Sequence, residues 1–347
     1  PLLAKGYRYS YDMLGEAART EADALRYHKA YADAIASLKP SATGNDIRRN
    51  PGISVKLSAI HPRYEATHRK KMLPVMTERL LSLAEAAKEA RMGLNIDAEE
   101  ADRLDLSLDV IEEVLASPSL AGWDGFGLAV QAYQKRALAV IDWVADRAER
   151  SGRRMMVRLV KGAYWDTEVK RAQERGLDDY PVFTRKAMTD LSYMAAAEKL
   201  LALRPRLFPQ FATHNALTIA AILERAGTAE GFEFQRLHGM GEALYARLLD
   251  ARPEAACRVY GPVGGHRDLL AYLVRRLLEN GANSSFVSAA ADPGVPVASL
   301  LQRPAAIIGE ASAARHPRLP LPRDLFAPHR QNSGGVEFRC RAALQGL

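Results

Sequence analysis

Several charged and polar residues interrupt or close apolar runs, where an unpaired ion would be costly. Lys56 lies between Val55 and Leu57, Asp97 closes GLNID and Gln131 closes FGLAVQ. Arg158 breaks MMVRLV and Lys161 follows it; Thr213, His214 and Asn215 close FATHN; Tyr260 closes CRVY. Fixed cations in such places can neutralise a substrate carboxylate or steady negative charge on a cofactor. The competing reading is that each group pairs with a neighbour and only fills the interior. A second set is Tyr272, Arg275, Arg276 and Glu279, spaced i, i+3, i+4 and i+7 on one helical face among leucines. It reads either as the solvated stripe of an amphipathic helix or as a double-arginine clamp for a carboxylate, steadied by Glu279. Gly239 and Gly241 give a near miss to the dinucleotide fingerprint, with Leu244 at the third glycine. No acidic residue follows at the required distance, so a tight strand-to-helix turn is expected there. The glycines of GPVGG at 261–265 are read as a simple loop as well.

What could position such residues is an alternation of strand and helix. Short apolar or β-branched runs lie at 7–13, 53–57, 93–97, 126–131, 155–160, 208–213, 232–237 and 257–260. Several lack strict alternation, as strands buried on both faces do. Between and after them, helical periodicity covers 16–38, 70–91, 104–115, 134–150, 184–203, 215–226, 242–250 and 268–280, with a longer insertion ahead of 184. Eight alternations predict an α/β fold, a closed parallel (β/α)₈ barrel of the TIM type, and place the site at the C-terminal ends of the strands. The barrel is expected over 1–290, its last helix capping the mouth. A proline-interrupted extension or linker is expected over 291–347, irregular with one short helix.

Composition narrows the function classes. The chain has 347 residues, 48% hydrophobic and 26% charged, enough for a sizeable core. The net charge of +7 comes from basic residues interleaved with acidic ones, without an aromatic-and-basic stripe. Anionic small molecules therefore fit better than nucleic acid. Cys257 and Cys340 have no CxxC partner, so neither a zinc site nor a disulfide framework is expected, and a reducing, cytoplasmic setting is. No run suggests a signal peptide or a membrane span, and the start at Pro1 suggests a fragment.

The strings ISVKLSAIHPRY, NIDAEEADRLDLSLD, GLAVQAYQKRA, VRLVKGAYWD, FATHNA, FQRLHGMGE, RVYGPVGGH and YLVRRLLENGANSSFV are long and specific. Together they resemble the proline dehydrogenase domain of the bacterial proline utilization A family, from residue 7 to residue 287. RQNS, ending at Ser333, resembles the approach to that family's second enzyme, an aldehyde dehydrogenase. The helical DNA-binding module that opens some members of the family is not expected within this stretch.

The resemblance implies noncovalent FAD at the barrel mouth and oxidation of L-proline to Δ1-pyrroline-5-carboxylate, by hydride transfer from C5 to flavin N5. It implies that Arg275, Arg276 and Lys56 bind the substrate carboxylate, with Glu279 ordering the clamp. Tyr260 and Leu237 would close around the ring, near Asp97, Ala98 and Tyr164, with Tyr260 favouring proline over 4-hydroxyproline. Arg158 would lie near N5 and Gln131 would reach the flavin. Lys161, Gly162, Trp165, Thr184 and Lys186, with Thr213, His214 and Asn215, would hold the pyrophosphate and adenosine. His214 or Trp165 alone would read as structural; within THN and VKGAYW they take the cofactor reading. The family further implies a quinone acceptor, a fused aldehyde dehydrogenase and a location peripheral to the inner membrane for a longer protein. Two alternatives stay open: a related barrel acting on another cyclic amino acid, and a silent docking barrel.

Overall fold

The computed structural model describes residues 6–265, 269–270, 272–274, 286–337 and 341–346. Eight strands are β1 Arg8–Met13, β2 Gly52–Val55, β3 Gly93–Ile96, β4 Phe126–Gln131, β5 Met155–Val160, β6 Leu207–Ala212, β7 Glu233–Leu237 and β8 Cys257–Val263. Each pairs in parallel with the next, and β8 closes on β1 through Arg8 opposite Arg258 and Tyr9 opposite Val259. The expected closed barrel is therefore present.

An alternation does run through these strands, although both faces are buried. Ile53, Val55, Leu94, Ile96, Val157, Leu159, Phe234 and Val259 belong to the apolar core. Their neighbours in sequence are polar and also buried: Ser54, Lys56, Asn95, Arg158, Glu233, Gln235 and Arg258. Successive strand residues point to opposite faces. Apolar side chains thus meet the helices, and the barrel interior is a polar network. Gly127 serves that interior: a Cβ there would lie 2.4 Å from Asn95 Oδ1.

The helices are α1 Glu21–Leu38, α2 Arg69–Glu89, α3 Leu104–Leu115, α4 Ala137–Arg150, α5 Trp165–Glu174, α6 Lys186–Ala202, α7 Ala216–Ala226 and α8 Glu242–Ala251. Helix α1 starts later than its periodicity suggests, because Thr20 and Asp23 form a capping box there. In the outer ring α4 packs on α6 and α6 on α7, so α5 is the additional element. Sequence reading leaves α5 inside the insertion. Its ten residues, WDTEVKRAQE, are polar almost all round, and among them only Glu168, Val169 and Ala172 are buried. Residues 269–270 and 272–274 of the expected last helix are helical.

The proline-rich end departs from the expected irregular tail with one short helix. It carries the short helices Phe286–Ala291, Val297–Leu300, Pro304–Ile308 and Arg341–Gln345. Prolines limit helix length without forbidding helices, and Pro304 occupies the first turn of one, where its missing N–H costs nothing. Pro304–Ile308 packs on α6. No helix of the described residues is long and apolar enough to cross a membrane.

Candidate active site

Asp97 directly follows β3, and its backbone N–H donates to Val55 O at 2.9 Å. Its carboxylate gathers side chains from β5, from β8 and from the residue that follows β2. Arg158 Nη1 reaches Oδ1 at 2.6 Å. Tyr260 OH donates to Oδ2 at 2.7 Å and Lys56 Nζ lies 3.2 Å from the same oxygen. The Arg158 guanidinium lies 5.0 Å from the Tyr260 ring centroid, a cation–π contact. Four of the residues singled out in the sequence therefore meet at one point, at the C-terminal side of the barrel.

Sequence reasoning missed the partners beneath them. Lys56 Nζ also binds Asp12 Oδ1 at 2.5 Å, and Asp12 is 1% exposed. Arg158 Nε donates to Gln235 Oε1 at 2.8 Å and Nη2 to Ser54 Oγ at 2.9 Å. The missed signal is the alternation Arg8, Ser10, Asp12, which puts a carboxylate on the inward face near the end of β1. Two carboxylates thus face two cations. Burial alone would raise the pKa of Asp97, but Lys56 and Arg158 outweigh it and hold the carboxyl below its ordinary value. Burial would likewise lower that of Lys56, yet Tyr260, Asp12 and Asp97 keep the ammonium well above the usual lysine value. Asp12 is pushed up by burial, against the pull of Lys56. Tyr260 is driven up by burial, so its phenol keeps the proton it donates.

Gln131 stands beside this centre: its Nε2 donates to Glu99 O at 2.8 Å. The Glu99 carboxylate accepts from Ser58 N at 3.0 Å. These bonds fix the backbone carrying Asp97 and Ala98. Leu237 closes β7, and its N–H donates to His214 Nε2 at 3.1 Å. Tyr164 occupies the N-cap position of α5.

A second group collects after β5 and β6. Lys161 and Lys186 both bind Asp190, the latter at 2.7 Å. Trp165 Nε1 donates to Phe183 O at 2.9 Å. Thr184 Oγ1 accepts from His316 N at 3.0 Å. Asn215 caps α7, its Oδ1 accepting from Thr218 N at 3.2 Å, and Thr213 Oγ1 accepts from Asn215 N at 3.1 Å. Gly162 has φ +135°, and a Cβ there would fall 2.5 Å from the Tyr133 ring. Only glycine sits easily in that bend. Ammonium groups beside a half-buried backbone turn and a helix N-terminus suit a phosphate-bearing ligand. Residues of this donor set therefore fit the pyrophosphate of a dinucleotide. Arg275, Arg276 and Glu279 lie outside the described residues.

Comparison with known proteins gives the family. The family model "Proline dehydrogenase" matches residues 2–289. Bifunctional protein PutA of Klebsiella aerogenes is 52% identical over 99% of this chain, and the chain covers 27% of that protein. The Escherichia coli K12 protein of the same name is 51% identical, with the same coverages. The crystal structure of a point mutant of Bradyrhizobium japonicum proline utilization A matches with a TM-score of 0.96 and 65% identity, over 99% of this chain and 36% of that one. The chain thus spans little more than a quarter of the length of these curated relatives. On the match along most of its length and on this level of identity, the chain belongs to the proline dehydrogenase family of oxidoreductases.

Proposed function

We propose that the chain oxidises L-proline to Δ1-pyrroline-5-carboxylate with noncovalently bound FAD. The observation that carries this reading is the convergence of Lys56, Arg158 and Tyr260 on Asp97 at the mouth of the barrel. FAD bound there would supply a two-electron acceptor for the hydride that leaves proline C5. The rest is the work of side chains. Lys56, with Arg275 and Arg276 ordered by Glu279, holds the substrate carboxylate by charge and hydrogen bonds. Tyr260 and Leu237, with Ala98 and Tyr164, wall the pyrrolidine ring. Arg158 places a fixed positive charge where the electrons arrive, and Gln131 holds the adjoining loop. Lys161, Gly162, Trp165, Thr184 and Lys186, with Thr213, His214 and Asn215, hold the pyrophosphate and adenosine.

Loss of hydride from C5 forms the C=N bond and requires the amine nitrogen first to shed one proton and free its lone pair; the iminium proton leaves afterwards to give the neutral imine. Asp97 already accepts from three donors and is held acidic, so it suits fixing the cations better than receiving that proton. Water at the mouth is the better acceptor. For the longer protein we propose a quinone acceptor, a fused aldehyde dehydrogenase that consumes the product, and a cytoplasmic location peripheral to the inner membrane.

The deciding experiment is the visible spectrum of the purified chain, without oxygen, before and after L-proline. A yellow spectrum that bleaches is expected. A colourless chain that takes up no added FAD overturns the cofactor. A yellow chain that proline leaves unchanged points to another cyclic amino acid, or to a silent barrel. Arg276→Met should raise the KM for proline strongly while the flavin stays bound.

A further inference from the structure

The stretch 175–186 is held between two neighbours. On its inner side Phe183 N donates to Tyr133 O at 2.8 Å and Lys135 N to Pro181 O at 3.1 Å. On its outer side runs segment 304–337, within the stretch 291–347 that sequence alone reads as an extension or linker. Arg185 donates through Nη1 to Ala313 O and through Nη2 to Ile307 O, the latter at 3.1 Å. Arg315 pairs with Asp179 at 2.9 Å, and Tyr180 OH donates to Pro320 O at 2.7 Å. Leu319 packs against the small apolar cluster of Tyr133, Val169, Ala172, Tyr180 and Val182.

Two of these contacts bear on the ligand. Arg185 lies between Thr184 and Lys186, and its two hydrogen bonds to segment 304–337 set the start of α6. That segment's own His316 N–H occupies a lone pair of the Thr184 hydroxyl, leaving that hydroxyl its proton to donate elsewhere. A packed segment with the same backbone fold but no such bonds would leave both features unset.

We propose that segment 304–337 is a positioning strap for the adenosine half of the flavin, acting through Arg185 and His316 on Thr184 and Lys186. Arg185 is a positioning residue in this account, and the strap does not touch the reacting atoms. The inference rests on the flavin reading above and adds to it which end of the ligand the strap serves.

The test compares FAD with FMN, which lacks the adenosine half. Both are titrated into the flavin-stripped full chain and into Arg185→Met, and binding is read by flavin fluorescence. The variant should bind FAD about tenfold more weakly, as loss of hydrogen bonds from a charged donor implies. Its affinity for FMN should match that of the unaltered chain, and once saturated with FAD it should keep the same KM for proline. Arg315→Ala removes a part-exposed contact with little risk to folding, and should weaken FAD about threefold with FMN unaffected. It decides the matter if Arg185→Met does not fold. Equal weakening of FAD and FMN would reduce the strap to general support and overturn the proposal, as would unchanged FAD affinity in both variants. An unaltered chain that binds neither flavin is a different result: it overturns the flavin reading, and the strap's role with it.

Discussion

Asp97 is the residue on which the others at the mouth depend, because its two oxygens accept from Lys56, Arg158 and Tyr260. Asp97→Asn removes the charge that two buried cations share and leaves Asp12 to face them alone. Breaking a buried ion pair from one side typically costs about 3 kcal/mol or more. The variant should therefore unfold at clearly lower urea concentration at pH 7, and a midpoint equal to that of the unaltered chain would contradict the arrangement. Lys56, Asp97, Arg158 and Tyr260 were legible in the sequence because ions inside apolar strands announce either a pair or a site. Asp12 was not, since its strand alternates tyrosines with Arg8, Ser10 and Asp12, and the sequence alone does not say which of the two sets faces inward. Only closure of the barrel, with β8 against β1, turns that face inward.

At the level of elements, strands and ring helices follow from hydrophobic period, whereas α5 and the strap follow from what they touch. Helix α5 shows how a polar helix is held. Glu168, 4% exposed, accepts from Ala101 N at 2.7 Å and so joins α5 to the turn Ala101–Arg103, just beyond the loop of Asp97. Burial pushes its carboxyl from 4.5 up to about 7, with Asp102 and Glu100 adding to the rise and the Ala101 N–H and Arg171 opposing it. A raised folded-state value means that the folded chain holds this proton more tightly than the unfolded one. Stability is then highest below 4.5, falls as pH rises from there to about 7, and is level beyond. The size of that loss is about 3 kcal/mol at most. Glu168→Gln keeps the acceptor for Ala101 N–H and removes the titration. It should match the unaltered chain near pH 4.5 and exceed its unfolding free energy at pH 8. Denaturant curves at the two pH values check this, and a gap that does not change with pH would refute it.

For the molecule as a whole, the polar interior means that the barrel is closed by ions as well as by backbone ladders. Glu233, wholly buried at the start of β7, accepts from Arg258 at 2.7 Å and from Gln210 and Gln235 at 2.9 Å. Arg258 in turn donates to Tyr9 O and Asn50 O, both at 2.9 Å, so the last strand is tied to the first and to the entry of the second. Gln235 continues the chain of contacts to Arg158, linking this floor to the centre around Asp97. Burial would raise the carboxyl of Glu233, yet Arg258 and then Arg8 outweigh it and hold it below 4.5. Its charge therefore contributes stability at neutral pH, and that contribution is lost as pH falls through the lowered value. Glu233→Gln should cost about 3–5 kcal/mol at pH 7, because Arg258 remains buried, and Arg8 half-buried, without their counter-ion. The difference from the unaltered chain should shrink in acid, where the native carboxyl also takes up its proton. Chains that stay folded should keep their affinity for proline, because Glu233 opens β7 at the end opposite Leu237 and the mouth. A loss of proline affinity at unchanged stability would instead show that the floor shapes the site through Gln235 and Arg158, and that the ions are there for the chemistry rather than for closing the barrel.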